Sequence, residues 1–215
     1  MSQKIKLDII SDVVCPWCIV GYKHLEAAIA KLKLGDKVEI QWQPFELNPD
    51  MPASGEILSQ HMARKYGASP QDSANNRSIL QERGQAYGFD FNFFDEMKIV
   101  NTLDAHVLLD YAEELGKKHQ LKLKLFNAYF SEQKDISDHS TLLKLAIDVG
   151  IPMEQAQLVL SDTERKEKVK TTIKQWQKLG ISSVPTFVFN RSSAFSGAQP
   201  QAAFEEVLKE LSQSG

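Results

Sequence analysis

The chain has 215 residues and a formal net charge of -3, with 42% hydrophobic and 25% charged residues. That length fits one domain, or one domain carrying a large insertion, and the composition is that of a globular chain and not of a disordered one. Lys and Arg do not outnumber Asp and Glu, so no cation excess exists to displace phosphate counterions, and a general nucleic-acid binder is excluded. The longest apolar runs fall short of the roughly 20 residues that cross a bilayer. The first residues, Met1-Ser2-Gln3-Lys4-Ile5-Lys6-Leu7-Asp8, alternate apolar with polar where a signal peptide would carry a continuous apolar core, which points to a cytoplasmic protein without membrane attachment.

Ile5 to Ile10 reads as a strand, with Ile5, Leu7 and Ile9 alternating with polar partners. A helix is expected from about Pro16 to Leu34, its apolar face carrying Gly21, Leu25, Ala28, Ile29 and Leu32. Pro16 suits the first helical position, where no amide donor is needed, and places Cys15 at the cap. Gly35 and Asp36 are expected to stop this helix, and Val38 to Trp42 forms the next strand by strict alternation. After a loop rich in breakers (Pro44, Asn48, Pro49, Pro52, Gly55), strand character disappears for more than a hundred residues. Helices are expected over 56–67, 70–87, 102–119, 120–133, 139–149, 152–160 and 162–179. Among their apolar repeats, one runs through Leu103, Val107, Leu108, Tyr111 and Leu115, and another through Leu125, Phe126, Tyr129 and Phe130. Asn101 and Asp138 read as N-caps, Pro152 opens a helix and Gly180 closes the last of the series. Strands return at Thr186 to Phe189 and near Ser193 to Phe195, around a turn at Asn190-Arg191. A final amphipathic helix carries Phe204, Val207, Leu208 and Leu211. The consecutive helices read as one block inserted into an α/β domain.

The chain holds two cysteines, Cys15 and Cys18, in the order C-P-W-C. Two cysteines placed at random in this length would stand three apart in about one case in a hundred, so the spacing carries information. A helix N-terminus, with its unpaired amides and partial positive charge, stabilises a thiolate, the nucleophile of disulfide exchange. Cys15, at the cap and on the exposed side, is the expected attacker, and Cys18, one turn deeper, the resolving thiol. Pro16 and Trp17 bring no charge, and Trp17 offers a flat apolar platform beside the sulfur. A zinc site would need four ligands; there is no third cysteine, and His24, His61, His106, His119 and His139 show no paired spacing, so no metal is expected.

The stretch Ser11-Asp12-Val13-Val14-Cys15-Pro16-Trp17-Cys18, a helical insertion, and then Gly180-Ile181-Ser182-Ser183-Val184-Pro185-Thr186-Phe187 resembles the DsbA family of the thioredoxin superfamily. Within it the chain is most similar to the cytoplasmic FrnE-like branch, near the 2-hydroxychromene-2-carboxylate isomerases and kappa-class glutathione transferases. The resemblance implies an α/β thioredoxin fold with a large all-helical insertion. Residues 1–50 and 165–215 would form the thioredoxin-like domain, and 51–164 the insertion. It also implies that Pro185 is cis and faces the C-P-W-C, and that Val184 and Pro185, with Pro16 and Trp17, form the substrate ledge. From the residues alone, Pro185 reads as a turn before a strand. Asn101-Thr102 and Ala105-His106 resemble a motif on the insertion's main helix near the cleft, although Asn101 also reads as a cap and His106 as structural. Asp12 could relay a proton to the thiols or cap its own loop. Trp42 and Trp176 read as core or cleft wall.

Two activities follow from the resemblance. One is thiol–disulfide exchange through Cys15 and Cys18, with no cofactor beyond their redox-active disulfide, glutathione as a candidate co-substrate, and protein or small-molecule thiols and disulfides as partners. The other is glutathione-dependent isomerisation or transfer. Members of that neighbouring branch commonly hold serine at the place of Cys15 and an acidic residue in the turn that here reads Gly197-Ala198-Gln199. Both departures favour the oxidoreductase. A binding protein with a vestigial motif is disfavoured by the survival of both thiols.

Overall fold

A computed structural model describes residues 4–213; Met1, Ser2 and Gln3 of the alternating N-terminal segment lie outside the described residues. The chain runs β1 (Ile5–Ser11), α1 (Pro16–Leu32), β2 (Val38–Pro44), β3 (Glu56–Ile57), α2 (Leu58–Tyr66), α3 (Pro70–Gln85), β4 (Lys98–Ile99), α4 (Leu103–Glu114), α5 (Lys118–Phe130), α6 (His139–Asp148), α7 (Met153–Ser161), α8 (Thr163–Lys178), β5 (Thr186–Phe189), β6 (Ser193–Ser196) and α9 (Gln201–Gln213). The main sheet has the order β2-β1-β5-β6, with β1 parallel to β2 and antiparallel to β5. This is a DsbA-like thioredoxin fold, its sheet drawn from both ends of the chain and the helices α2 to α8 between them.

β1 is central, and among its residues only Lys6 is exposed, because both faces of the strand are covered. Even Asp8, at a polar step of the alternation, is buried; Gln43 Nε2 donates to its Oδ1 at 2.6 Å. α1 and α9 pack together, with Phe187 of β5 edge-on to Phe204 of α9 at 4.8 Å between ring centroids. α5 and α8 pack against β2, so the inserted helices are seated directly on the sheet. An expected boundary at residue 165 would fall within the first turn of α8. No helix among the described residues is long and apolar enough to cross a membrane.

Three local expectations are corrected. The inserted block is not wholly helical: Glu56–Ile57 pairs antiparallel with Lys98–Ile99 in a two-residue ladder, too short to show a period and held by residues distant in sequence. The helix expected over 102–119 ends at Glu114, since Gly116 takes a left-handed φ of 67° and the chain turns before α5. α1 ends at Leu32, with Lys33 in the left-handed conformation at φ 55°, ahead of Gly35 and Asp36.

In the last turn of α3, Gly84 meets the returning chain so closely that a Cβ there would lie 2.4 Å from the Phe89 carbonyl oxygen and 2.7 Å from the Phe91 ring. Gly35 has open space. Gly84→Ala is expected to cost about 1–3 kcal/mol, whereas Gly35→Ala should be neutral or stabilising by up to about 1 kcal/mol. Urea unfolding of the two variants beside the parent chain measures the contrast.

Candidate active site

Asp12 to Cys15 form a tight turn between β1 and α1, closed by the Cys15 amide donating to the Asp12 carbonyl at 3.2 Å. Cys15 is the N-cap of α1 with extended backbone, and Pro16 follows inside the first turn. Both cysteines are free thiols. The Val184–Pro185 peptide bond is cis, and the Cys15 thiol donates to the Val184 carbonyl across 3.7 Å. The fold therefore gathers Cys15, Cys18, Pro16, Trp17, Val184 and Pro185 from opposite ends of the chain. Trp17 is half-buried, with the Arg83 guanidinium 5.3 Å from its ring.

The exposure expected for Cys15 is corrected: the residue is 4% exposed, with its thiol against the Val184 carbonyl. The thiol opens instead into a cavity of about 520 Å³, walled by Val14, Trp17 and Val184 on the sheet side and by Leu58, Leu80 and Phe130 among others on the insertion side. Cys18 is fully buried. Burial pushes the Cys18 thiol pKa well above its ordinary value, and the adjacent Cys15 sulfur pushes it further, while the positive charge of Lys122 works the other way.

Behind the thiols lies a buried polar cluster. Asp12 accepts from the Leu47 amide at 2.8 Å through Oδ2 and faces His106 Nε2 at 3.3 Å through Oδ1. Burial alone would raise the Asp12 carboxyl, but the His106 hydrogen bond and charge, the Leu47 amide and Lys122 together hold it below its usual value. Burial holds His106 low as well, against the pull of Asp12. Across this contact the Asp12 carboxylate accepts and His106 Nε2 donates, while the same ring also meets the Phe45 backbone. Glu46 is buried nearby; burial, and then the charge of Asp12, push its carboxyl up to about 7. Asn101 takes no part in this cluster: it accepts from the Leu103 amide at 3.0 Å and donates to the Met51 carbonyl at 3.4 Å. The cap residue of α4 is its neighbour Thr102.

Lys122 of α5 is absent from the sequence expectations and is 1% exposed. Its Nζ lies 3.5 Å from the Ser11 carbonyl, 5.0 Å from the Phe126 ring and 5.4 Å from the Trp42 ring. Burial pushes its ammonium down to about 8, opposed by the negative charge available at Cys18 and Asp12. A signal did exist, since Lys122 falls on the helical stripe of Leu125, Phe126 and Tyr129 at three- and four-residue steps. Below it, Trp42 Nε1 donates to His119 Nδ1 at 3.0 Å. The neutral His119 ring then donates from Nε2 to the Tyr22 oxygen at 3.1 Å, and the Tyr22 hydroxyl donates to Glu26 at 2.8 Å. Trp176 is half-buried beside Ile10, Phe45 and Val188. Among the described residues no group of three or more His, Cys, Asp or Glu is arranged to hold a metal ion.

A thioredoxin-type sheet with a C-x-x-C at the start of α1 and a proline loop against it defines a class of thiol-bearing folds. Residues 6–209 match the DSBA-like thioredoxin domain model, and the chain belongs to that family. It is similar to the uncharacterized protein YwbO of Bacillus subtilis, 26% identical over 96% of each chain. The crystal structure of a probable DsbA oxidoreductase, SCO1869 of Streptomyces coelicolor, is 29% identical with a TM-score of 0.90, covering 96% of this chain and 89% of that one. The cytosolic disulfide reductase DsbM of Pseudomonas aeruginosa, solved with GSH, shares the fold at 18% identity and a TM-score of 0.63, over 96% and 98% of the two chains.

Lys122 has a measurable signature. Between about pH 8 and 10.5 the folded chain has released a proton that the unfolded chain still holds, so this group makes stability rise with pH across that window. Lys122→Met should remove a rise of at most about 3 kcal/mol. Urea midpoints of parent and variant near pH 8 and pH 10 give the comparison, and equal slopes would refute the buried ammonium.

Proposed function

We propose that the protein is a thiol–disulfide oxidoreductase in which Cys15 attacks and Cys18 resolves. The observation that carries this reading is the asymmetry of the two thiols: Cys15 borders the cavity beside Val184, while Cys18 is enclosed one helical turn away with Asp12 and Lys122. Cys15 as thiolate attacks a substrate disulfide, forming a mixed disulfide and expelling one substrate thiolate. Cys18 then attacks the Cys15 sulfur, expels the second thiolate and leaves the Cys15–Cys18 disulfide. A thiol raised by burial must lose its proton before it attacks. Lys122, as the neutral amine that it forms around pH 8, is the group in that enclosure able to take it, with Asp12, kept as a carboxylate and oriented by His106, beside it. Run backwards, the sequence inserts a disulfide.

Pro16, Trp17, Val184 and Pro185 would receive the substrate. Glutathione is the natural low-mass thiol to restore the dithiol, and the cytosol the compartment of work; the similar disulfide reductase from Pseudomonas aeruginosa, cytosolic and solved with GSH, supports both.

Cys15→Ala should lower reduction of a low-mass model disulfide by at least roughly 100-fold and leave no covalent adduct. Cys18→Ala should complete the first step alone and accumulate adducts released by dithiothreitol. Non-reducing gels and mass spectrometry read both. Turnover retained in Cys15→Ala, or no adduct in Cys18→Ala, would overturn the proposal, and a glutathione-dependent isomerisation surviving both substitutions would put the isomerase reading first.

A further inference from the structure

The cavity at Cys15 has walls that restrict what can enter it. Its volume, about 520 Å³, lies in the range of pockets that enclose small ligands. Its lining is dominated by Leu58, Met62, Leu80, Phe93, Met97 and Phe130. Phe91 and Phe93 are stacked at 5.5 Å, and Phe93 stands edge-on to Phe130 at 6.4 Å, so one wall is an aromatic surface of the kind that receives another ring. Ionisable side chains on the lining already have partners: His61 Nδ1 is 2.7 Å from Glu56, and Arg77 faces Asp95 at 3.9 Å.

Two consequences follow. Cys15, 4% exposed as a residue, offers little of itself to a disulfide on the convex surface of a folded protein and lines this cavity instead. An extended peptide would bring an amide N–H and a carbonyl for every residue, whereas the surface this cavity presents is largely apolar, with Asn48 and Asn76 among its polar side chains. We propose that the substrate of Cys15 is a low-mass disulfide bearing an apolar ring, with the ring held in this cavity. The proposal rests on the reading of Cys15 as the attacking thiol. For a substrate RS–SR′ with R in the cavity, Cys15 forms a bond to the sulfur of R, the S–S bond breaks, and R′S⁻ leaves and is protonated. Cys18 then displaces RS⁻ from Cys15. The dithiol has given two electrons and two protons, and RSH and R′SH are released.

The test separates recognition of the ring from redox turnover by using one electrophile with different tails. The reduced protein is alkylated with iodoacetamide, with N-benzyliodoacetamide, and with an iodoacetylated Gly-Phe-Gly amide, and each Cys15 adduct is located by mass spectrometry. Every rate constant is divided by that for N-acetylcysteine under the same conditions. The benzyl reagent is expected to exceed iodoacetamide by at least tenfold, whereas the peptide reagent should exceed iodoacetamide by no more than twofold. The benzyl preference should fall toward one in Met62→Trp and in Leu80→Trp, each of which fills the cavity; the ratio within a variant cancels any change in Cys15 reactivity. A benzyl preference below twofold in the parent chain, or one that persists in both variants, overturns the proposal. A peptide reagent as fast as the benzyl one also overturns it, in favour of an inserted peptide side chain. Failure of all reagents at Cys15 overturns instead the reading of Cys15 as the attacking thiol.

Discussion

A carboxylate with no exposed surface stands at the end of the central strand, and much of the molecule is arranged around it. Asp12 has left water entirely, and an uncompensated charge there would cost several kcal/mol. Its compensation comes from three places that the chain reaches separately: the Leu47 amide after β2, the His106 ring on α4 and the ammonium of Lys122 on α5. Satisfying Asp12 therefore requires the inserted helices to be docked on the sheet. The same turn that holds Asp12 sets the first residue of α1, so the position of the two thiols and the seating of the insertion are one structural fact.

This dependence explains why the site is composite. The thioredoxin-type sheet supplies the sulfurs and the proline loop, but the sheet alone would leave the cavity at Cys15 without its far wall and Asp12 without its cationic neighbour. The insertion adds the far wall of the cavity at Cys15 and a charge behind Cys18. Glu46, whose carboxyl sits near neutrality beside Asp12, shows the limit of that enclosure: two adjacent buried carboxylates are not both comfortably ionised, and the one with fewer partners gives way.

The parts of this arrangement legible in the sequence were those with a local signature. The C-P-W-C and the strand–helix–strand that carries it follow from spacing, alternation and cap chemistry over short windows, whereas Pro185 reads locally only as a turn before a strand and takes its place against the thiols from the resemblance. The encounter of Asp12 with His106 spans 94 residues and has no local trace, so only the resemblance to a family placed His106 near the cleft. Asn101 went the other way: a residue that resemblance brought to the cleft turns its side chain to the backbone of Leu103 and Met51. Lys122 was hidden by its type, since lysine on a helix is ordinarily solvated and its place on an apolar stripe counts for little until the neighbours are known. Cys15 was expected to be exposed because a helix cap usually is; what covers it arrives from residues far along the chain. Lys33 ends α1 in a conformation that glycine ordinarily takes, against the expectation that the nearby glycine would do so.

The three tryptophans fall in three different places, and this makes the chain its own optical instrument. Trp17 stands between the two cysteines in sequence with a guanidinium over its ring, so its emission belongs to the wall of the cavity. Trp42 lies in the seam between sheet and insertion, donating to His119 and facing the Lys122 ammonium, with Tyr22 5.1 Å away as an energy donor. Trp176 sits apart, half-covered on α8. Occupancy of the cavity and undocking of the helical block thus report through separate chromophores, without any label attached.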